Sequence, residues 1–290
     1  MQIGMWIDDE RPLAAVVESV EEAANLGFAR VWFGQRAGWD ALTLITAVGS
    51  RVPGIGLGTA VVLTWPQHPL ALAGQALSTN AAVGGRLTLG IGPSHQPIVE
   101  GRYGYRWERP GQHVEDYLAA LGPALTGEAG TIAVPGAARP PLLLAAHGPR
   151  LLRLAGERAD GVITTWIGAR GLAEHTVPAV RAAAAGRAAP QVVVGVIASL
   201  THDPEAAREY VADRFGMASR MPSYRRSMDR EGFAGPGDTV LAGDEAELEK
   251  AVRGFADAGA TEFQLCAVGP EGDRARTVAF FGELARQLRA

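Results

Sequence analysis

Cysteine and lysine are almost missing from this sequence of 290 residues, which holds Cys266 and Lys250 and no other residue of either type. A lone cysteine excludes a disulfide framework or a cysteine-built metal centre within one chain. Cys266 lies in the apolar run Phe263-Gln264-Leu265-Cys266-Ala267-Val268 and reads as a small buried hydrophobe. A basic block is missing too: 27 Lys and Arg against 31 Asp and Glu leave a net charge of -4, with no concentrated positive face for phosphates. Nucleic acid is therefore excluded as an expected partner. Long hydrophobic runs are also lacking, since the longest, Ile55 to Leu63, falls far short of the roughly 20 residues that span a bilayer. The start of the chain has no basic segment followed by an apolar core and a cleavage site, so a cytoplasmic protein with no membrane partner is expected.

What is present is an alternation of short apolar strands with amphipathic helices. Ile3 to Ile7 reads as a strand, and Leu13, Val16, Val17, Val20 and Ala24 then recur at helical spacing until Gly27. The pattern repeats with strands at Arg30–Gly34, Ile55–Leu63, Leu87–Ile91, Leu142–Ala146, Val162–Thr165, Val192–Leu200 and Glu262–Val268. Eight strands alternating with helices predict an α/β fold, a closed (β/α)8 TIM barrel, over 1–290 as a single domain. Segments near 93–108, 127–140 and 217–237 break the alternation and read as insertions at the C-terminal face, with a small hairpin expected at Thr131–Pro135.

In such barrels chemistry sits where strand C-termini enter their loops. That rule selects Trp6 and Asp8, Gly34 to Arg36, Thr59 to Trp65, Gly92 to His95, His147 to Arg150, and Thr164 to Trp166. The six histidines show no metal-ligand spacing, so no metal is expected. A carboxylate pair for glycoside hydrolysis is not visible either. Asp8, Asp9 and Glu10 read as a solvated loop. The Arg86–Gln112 stretch ends a strand on Gly90, Gly92 and Pro93 and presents Ser94 and His95, a hydroxyl and an imidazole on a turn that lets a flat ligand come close. Gly148 and Pro149 open a helix with Arg150 and Arg153 in its first turn, where acidic residues are the usual choice. An anionic ligand on that helix end accounts for them. Trp6, Trp65 and Trp166 fall at or just past strand ends and would line an apolar mouth.

Three segments carry a resemblance: Gly58 to Pro69 (GTAVVLTWPQHP), Leu89 to Gly101 (LGIGPSHQPIVEG) and Ala145 to Gly161 (AAHGPRLLRLAGERADG). With them the whole chain resembles the luciferase-like monooxygenase superfamily, and within it the branch that uses coenzyme F420, a deazaflavin. The resemblance implies that the Ala60-Val61 peptide, next to Thr59, forms a bulge behind the coenzyme ring, in relatives often cis. It implies that Ala146, His147, Gly148, Pro149 and Arg150 hold the coenzyme phosphate beside Thr164 and Thr165, while Gly92 and Ser94 border the ring. His95 falls where relatives place an acidic or polar residue over the reactive ring face, and Gln35 where several carry histidine or an acid. With an ordinary pKa near neutrality, His95 is the expected proton carrier, and Gln35 is expected to orient ring or substrate. Trp6, Trp65, Trp166 and Tyr224 are the expected substrate contacts.

The activity so implied is an F420-dependent oxidoreductase that moves a hydride between the deazaflavin and a C=C or C=N bond of a small, largely apolar substrate, or the reverse oxidation. An FMN-dependent monooxygenase and a non-catalytic binder of coenzyme or metabolite are the alternatives. The family resemblance also implies a homodimer.

Overall fold

The computed structural model describes residues 1–128 and 132–289. Eight parallel strands close on themselves: β1 (Gln2–Trp6), β2 (Arg30–Phe33), β3 (Gly56–Thr59), β4 (Leu87–Gly92), β5 (Leu142–Ala145), β6 (Gly161–Thr165), β7 (Gln191–Leu200) and β8 (Glu262–Ala267). Each pairs with the next, and β8 pairs with both β7 (Glu262 with Val193) and β1 (Phe263 with Ile3), which shuts the ring. Helices α1 (Leu13–Leu26), α2 (Ala41–Gly49), α3 (Pro69–Ala82), α4 (Pro110–Thr126), α5 (Pro149–Arg158) and α6 (Val177–Ala183) follow strands in turn. After β7 come α7 (Pro204–Phe215), α8 (Pro222–Glu231) and α9 (Glu245–Asp257), and after β8 comes α10 (Glu271–Gln287). This is the (β/α)8 barrel that the alternation predicts. Among the described residues no helix is long and apolar enough to cross a membrane.

Alternation along the strands divides the core in two. Leu142 and Leu144 join the outer cluster under the helices, whereas Leu143 and Ala145 point inward to Trp32, Ile163 and Val193. The Trp32 indole fills the lower lumen, and its neighbours are glycines for that reason. A Cβ on Gly58 would stand 2.4 Å from the Trp32 ring, and one on Gly4 would stand 2.4 Å from Glu262 Oε1. The Trp32 Nε1-H donates to Glu262 Oε1 at 2.7 Å, and Arg30 pairs with the other carboxylate oxygen. Above this layer the inward residues are Trp6, Ala60, Val61 and Ala145, so the lumen opens into a shallow floor at the C-terminal face.

The structure departs from the expected boundaries in three places. The strand expected over Ile55–Leu63 is interrupted: the Ala60-Val61 peptide is cis, and Val62–Leu63 resumes by pairing with Ile91 and Gly92 of β4. Thr131, which opens the expected hairpin, lies outside the described residues, and Ile132 to Pro135 forms no strand. Asn80 holds this segment instead, donating to the Ala138 carbonyl at 2.8 Å. The helix expected from Leu172 begins as a π turn over Leu172–Thr176, next to Pro178, which has no N–H to continue an ordinary ladder.

Candidate functional site

The site is built at the mouth from the ends of five strands, β1, β3, β4, β5 and β6, and from α8, which lies between β7 and β8. β4 ends at Gly92, where a Cβ would meet Ala145 Cβ at 2.9 Å and Val61 Cγ2 at 3.0 Å. Ser94 then takes a left-handed backbone (φ 66°), uncommon for a residue with a side chain, and the turn delivers His95. Trp166, just past β6, has the same kind of backbone (φ 53°). Two strained residues flanking one opening are where strain concentrates at functional sites.

Tyr224 closes the group from above. Its ring meets His95 edge-on at 4.5 Å between centroids, His147 at 5.1 Å and Trp166 at 6.1 Å. It is carried by α8, whose inward stripe is Tyr224, Ser227, Met228 and Glu231, the i, i+3, i+4, i+7 spacing of a docked helix. Ser227 Oγ lies 3.0 Å from His147 Nδ1. Glu231 Oε1 accepts from the N–H groups of Gly168 at 2.8 Å and Gly171 at 2.7 Å, which fixes the helix to the loop after β6. The sequence of 217–237 shows no clean periodicity because this stripe is mostly polar.

Both mouth histidines are neutral. Burial pushes His95 down to about 4, which overturns its expected near-neutral pKa. Burial also pushes His147 down to about 3, helped by the nearby positive potentials of His95, Arg230 and Arg226. Burial raises the Tyr224 phenol to about 12, so it stays protonated. With the Ser227 hydroxyl donating to the Ser223 carbonyl at 3.3 Å, His147 carries its proton on Nδ1 and donates to Ser227. Thr164 Oγ1 is 3.4 Å from the same nitrogen.

The remaining expected residues fall into place unevenly. Trp6, Ala60 and Val61 belong to the inner cluster that forms the floor. Thr59 faces away from the lumen: its hydroxyl donates to the Gly90 carbonyl at 2.7 Å and accepts from the Gly90 N–H at 2.8 Å, locking β3 to β4. Thr165 donates to the Gly195 carbonyl at 3.1 Å. Gln35 accepts from the Leu63 N–H at 3.1 Å, so its acceptor oxygen holds the resumed strand. Gly148 caps α5 with no side-chain hydrogen bond, and Ala146 is buried beneath it. The two arginines of that first turn are engaged elsewhere. Arg150 donates to Gln112 and Glu115, both at 2.7 Å, and Arg153 pairs with Glu157 at 2.5 Å. Carboxylates on α4 and α5 thus partner both arginines. Trp65 stands in a different aromatic group, stacked on His113 at 3.9 Å and near Trp107 and Tyr105.

Asp9 was missed. It is fully buried rather than solvated; burial raises its carboxyl, and Arg36 Nη2 at 3.2 Å pulls the other way. Arg36 also lies 4.6 Å over the Trp6 ring and 3.0 Å from Asp8, so an acid-arginine-indole stack forms one wall of the mouth. The strand-end rule marks Trp6, Asp8 and Arg36, but a run of three acids in a loop gives no sign that its middle member is buried. Among the described residues no His, Cys, Asp and Glu group could hold a metal ion.

The luciferase-like monooxygenase family model matches residues 1–284, and the chain belongs to that family. A Mycobacterium tuberculosis protein, named provisionally as a coenzyme F420-dependent oxidoreductase, is 32% identical over 187 residues; these cover 56% of this chain and 53% of that protein. The chain thus spans about half the length of that relative. The 5,10-methylenetetrahydromethanopterin reductase of Methanolobus tindarius is 28% identical over 268 residues, 86% of this chain and 82% of that one. The oxygenating constituent of 3,6-diketocamphane monooxygenase from Pseudomonas putida, solved with FMN, superposes with a TM-score of 0.73 at 14% identity, over 99% of this chain and 92% of that one. The last likeness establishes the fold alone.

Proposed function

We propose that this chain is an F420-dependent oxidoreductase acting on a small, largely apolar substrate with a C=C or C=N bond, or on the corresponding reduced compound. The observation that carries the reading is the mouth itself: an apolar floor of Trp6, Ala60, Val61 and Ala145 beside neutral His95 and His147, both in ring contact with Tyr224. Gly92 keeps that floor level, since a Cβ there has no room. The uncapped start of α5 beside His147 offers free backbone N–H groups to a phosphate. These features fit a planar ring with a phosphate-bearing tail. When bound, a deazaflavin supplies a hydride donor or acceptor carbon.

The chain's own residues do the rest. His147, with its Nδ1 proton given to Ser227, turns a lone pair on Nε2 toward its surroundings. His95 is neutral, so its imidazole keeps a lone pair free for a proton. In that state the imidazole accepts the proton released when a substrate is oxidised and returns it when a substrate is reduced. Tyr224 keeps its phenolic proton and, with Trp166, excludes water from the mouth. Gln35 acts through the backbone it holds, as a positioning residue.

The test is a side-by-side fluorescence titration of purified protein with F420 and FMN at fixed salt. Micromolar or tighter binding of F420, with FMN at least tenfold weaker, is the expected result. The opposite preference would move the chain to the oxygen chemistry of its FMN-binding structural neighbours, and binding of neither would remove the coenzyme site. In a turnover assay with reduced F420 and enones or cyclic imines, His95→Ala is expected to lower the rate about 100-fold, while the titration finds its coenzyme affinity changed less than threefold; unchanged turnover would take His95 out of the mechanism.

A further inference from the structure

A second opening lies outside the barrel mouth, between the start of α3 and the middle of α4. It is a cavity of about 440 Å³, within the size range of small-molecule sites, whose walls include Trp65, Tyr105, Tyr117, His113, Gln67 and Asp116. None of these residues touches the Tyr224 group through an aromatic contact.

Two features of its walls point to a ligand. Among the described residues seven buried side-chain polar atoms lack a partner, and three of them belong to this cavity: Trp65 Nε1, Tyr117 Oη and Gln67 Oε1. Buried polar atoms are ordinarily paired, so this concentration marks a place completed by something else. The Gln67 amide is oriented, since its Nε2 donates to Gln75 Oε1 at 3.4 Å, leaving the oxygen as the unpaired end. The second feature is the combination of ring faces with a carboxylate. Trp65 and His113 stack at 3.9 Å with planes 7° apart, Tyr105 stands 6.5 Å from Trp65, and Tyr117 stands 5.8 Å from His113. Asp116 is exposed at the rim, with one oxygen held by Gln112 Nε2 at 2.8 Å. Burial keeps His113 neutral against the pull of Asp116, and Thr64 Oγ1 engages its Nε2 at 2.9 Å.

We propose that this cavity binds a small organic ammonium ion with an apolar or aromatic body. The π faces of Trp65 and the tyrosines attract a cation. The Asp116 carboxylate at the rim supplies the opposite charge, and Tyr117 Oη and Gln67 Oε1, buried in the walls without a partner, are acceptors that a side-chain rotation turns to its N–H groups. An anion meets Asp116 and the negative ring faces, and a neutral molecule forgoes both attractions. The site stands independently of the coenzyme reading, because it uses no residue of the mouth.

The experiment uses the whole chain and three probes of one shape: benzylammonium, benzyl alcohol and benzoate at equal ionic strength. Binding is followed by calorimetry and by the Trp65 indole N–H signal in nuclear magnetic resonance, assigned from the spectrum of Trp65→Phe. Benzylammonium is expected to bind and shift that signal, with benzyl alcohol at least tenfold weaker and benzoate not binding. Asp116→Asn and Tyr105→Ala change exposed side chains, and each is expected to weaken benzylammonium at least fivefold. Equal binding of the alcohol, unchanged affinity in both variants, an unmoved Trp65 signal, or no binding of benzylammonium would each overturn the proposal.

Discussion

The two mouth histidines tie chemistry to stability at the level of single side chains. Unfolded, each titrates near 6.5; folded, His95 titrates near 4 and His147 near 3. Between those limits the unfolded chain binds more protons than the folded one, so their contribution is complete above about pH 6.5 and lost as pH falls toward 4. Each histidine costs at most about 1.4 kcal/mol per pH unit over that window. Urea midpoints are therefore expected to fall from pH 7.5 to pH 5, and to fall less in His147→Asn; an equal drop would assign the acid sensitivity to other groups. Gly92 gives a second prediction. Gly92→Ala pushes a methyl against Ala145 and Val61 and is expected to cost about 1–3 kcal/mol of stability, measured by denaturant unfolding, and to weaken coenzyme binding with it. Gly92 could be singled out from the chain because it ends a strand before a polar turn. The shifted histidine values could not, since burial depends on Tyr224, which arrives from a helix about 130 residues beyond His95 and about 80 beyond His147.

Among the elements, α8 closes the site, and one carboxylate anchors its C-terminal end. Glu231 accepts both the Gly168 and Gly171 N–H groups, its side chain is 5% exposed, and its other oxygen stands 3.6 Å from Arg170 Nε. Glu231→Ala leaves two N–H groups unpaired and is expected to cost about 2–3 kcal/mol locally. Faster amide exchange across 222–231, with the barrel strands unchanged, is the readout. Exchange unchanged in α8 would mean that Tyr224 and Met228 hold the helix without the carboxylate. The break in the third strand belongs to the same scale. A run of apolar residues from Ile55 to Leu63 has no marker of interruption, because the residues on both sides of the Ala60-Val61 peptide suit a strand equally well. Only the resemblance to relatives pointed to that peptide.

For the whole molecule, the barrel closes around a polar layer as well as an apolar one. Glu262 on β8 reaches Trp32 and Arg30 on β2 across β1, where Gly4 makes room. Glu262→Leu leaves the buried Trp32 N–H without an acceptor and the Arg30 guanidinium without its carboxylate. The expected cost is about 3 kcal/mol, or a fall in melting temperature of about 10 °C; a smaller effect would show that solvent reaches Arg30 readily. The alternation of strands and helices, the closed parallel ring and the mouth as the place of chemistry follow from periodicity along the chain, because period 2 and period 3.6 are local properties that each segment carries alone. Cys266, Gly92, Ser94 and His95 could likewise be located on strand or turn from their neighbours. The partners of those residues were decided only when the chain closed. Arg150 paired with Glu115 of α4, Asp9 was buried, Trp65 joined His113, and Tyr224 met two histidines. Each of these depends on which distant segments a closed barrel brings within a few ångströms, and no local pattern encodes that distance.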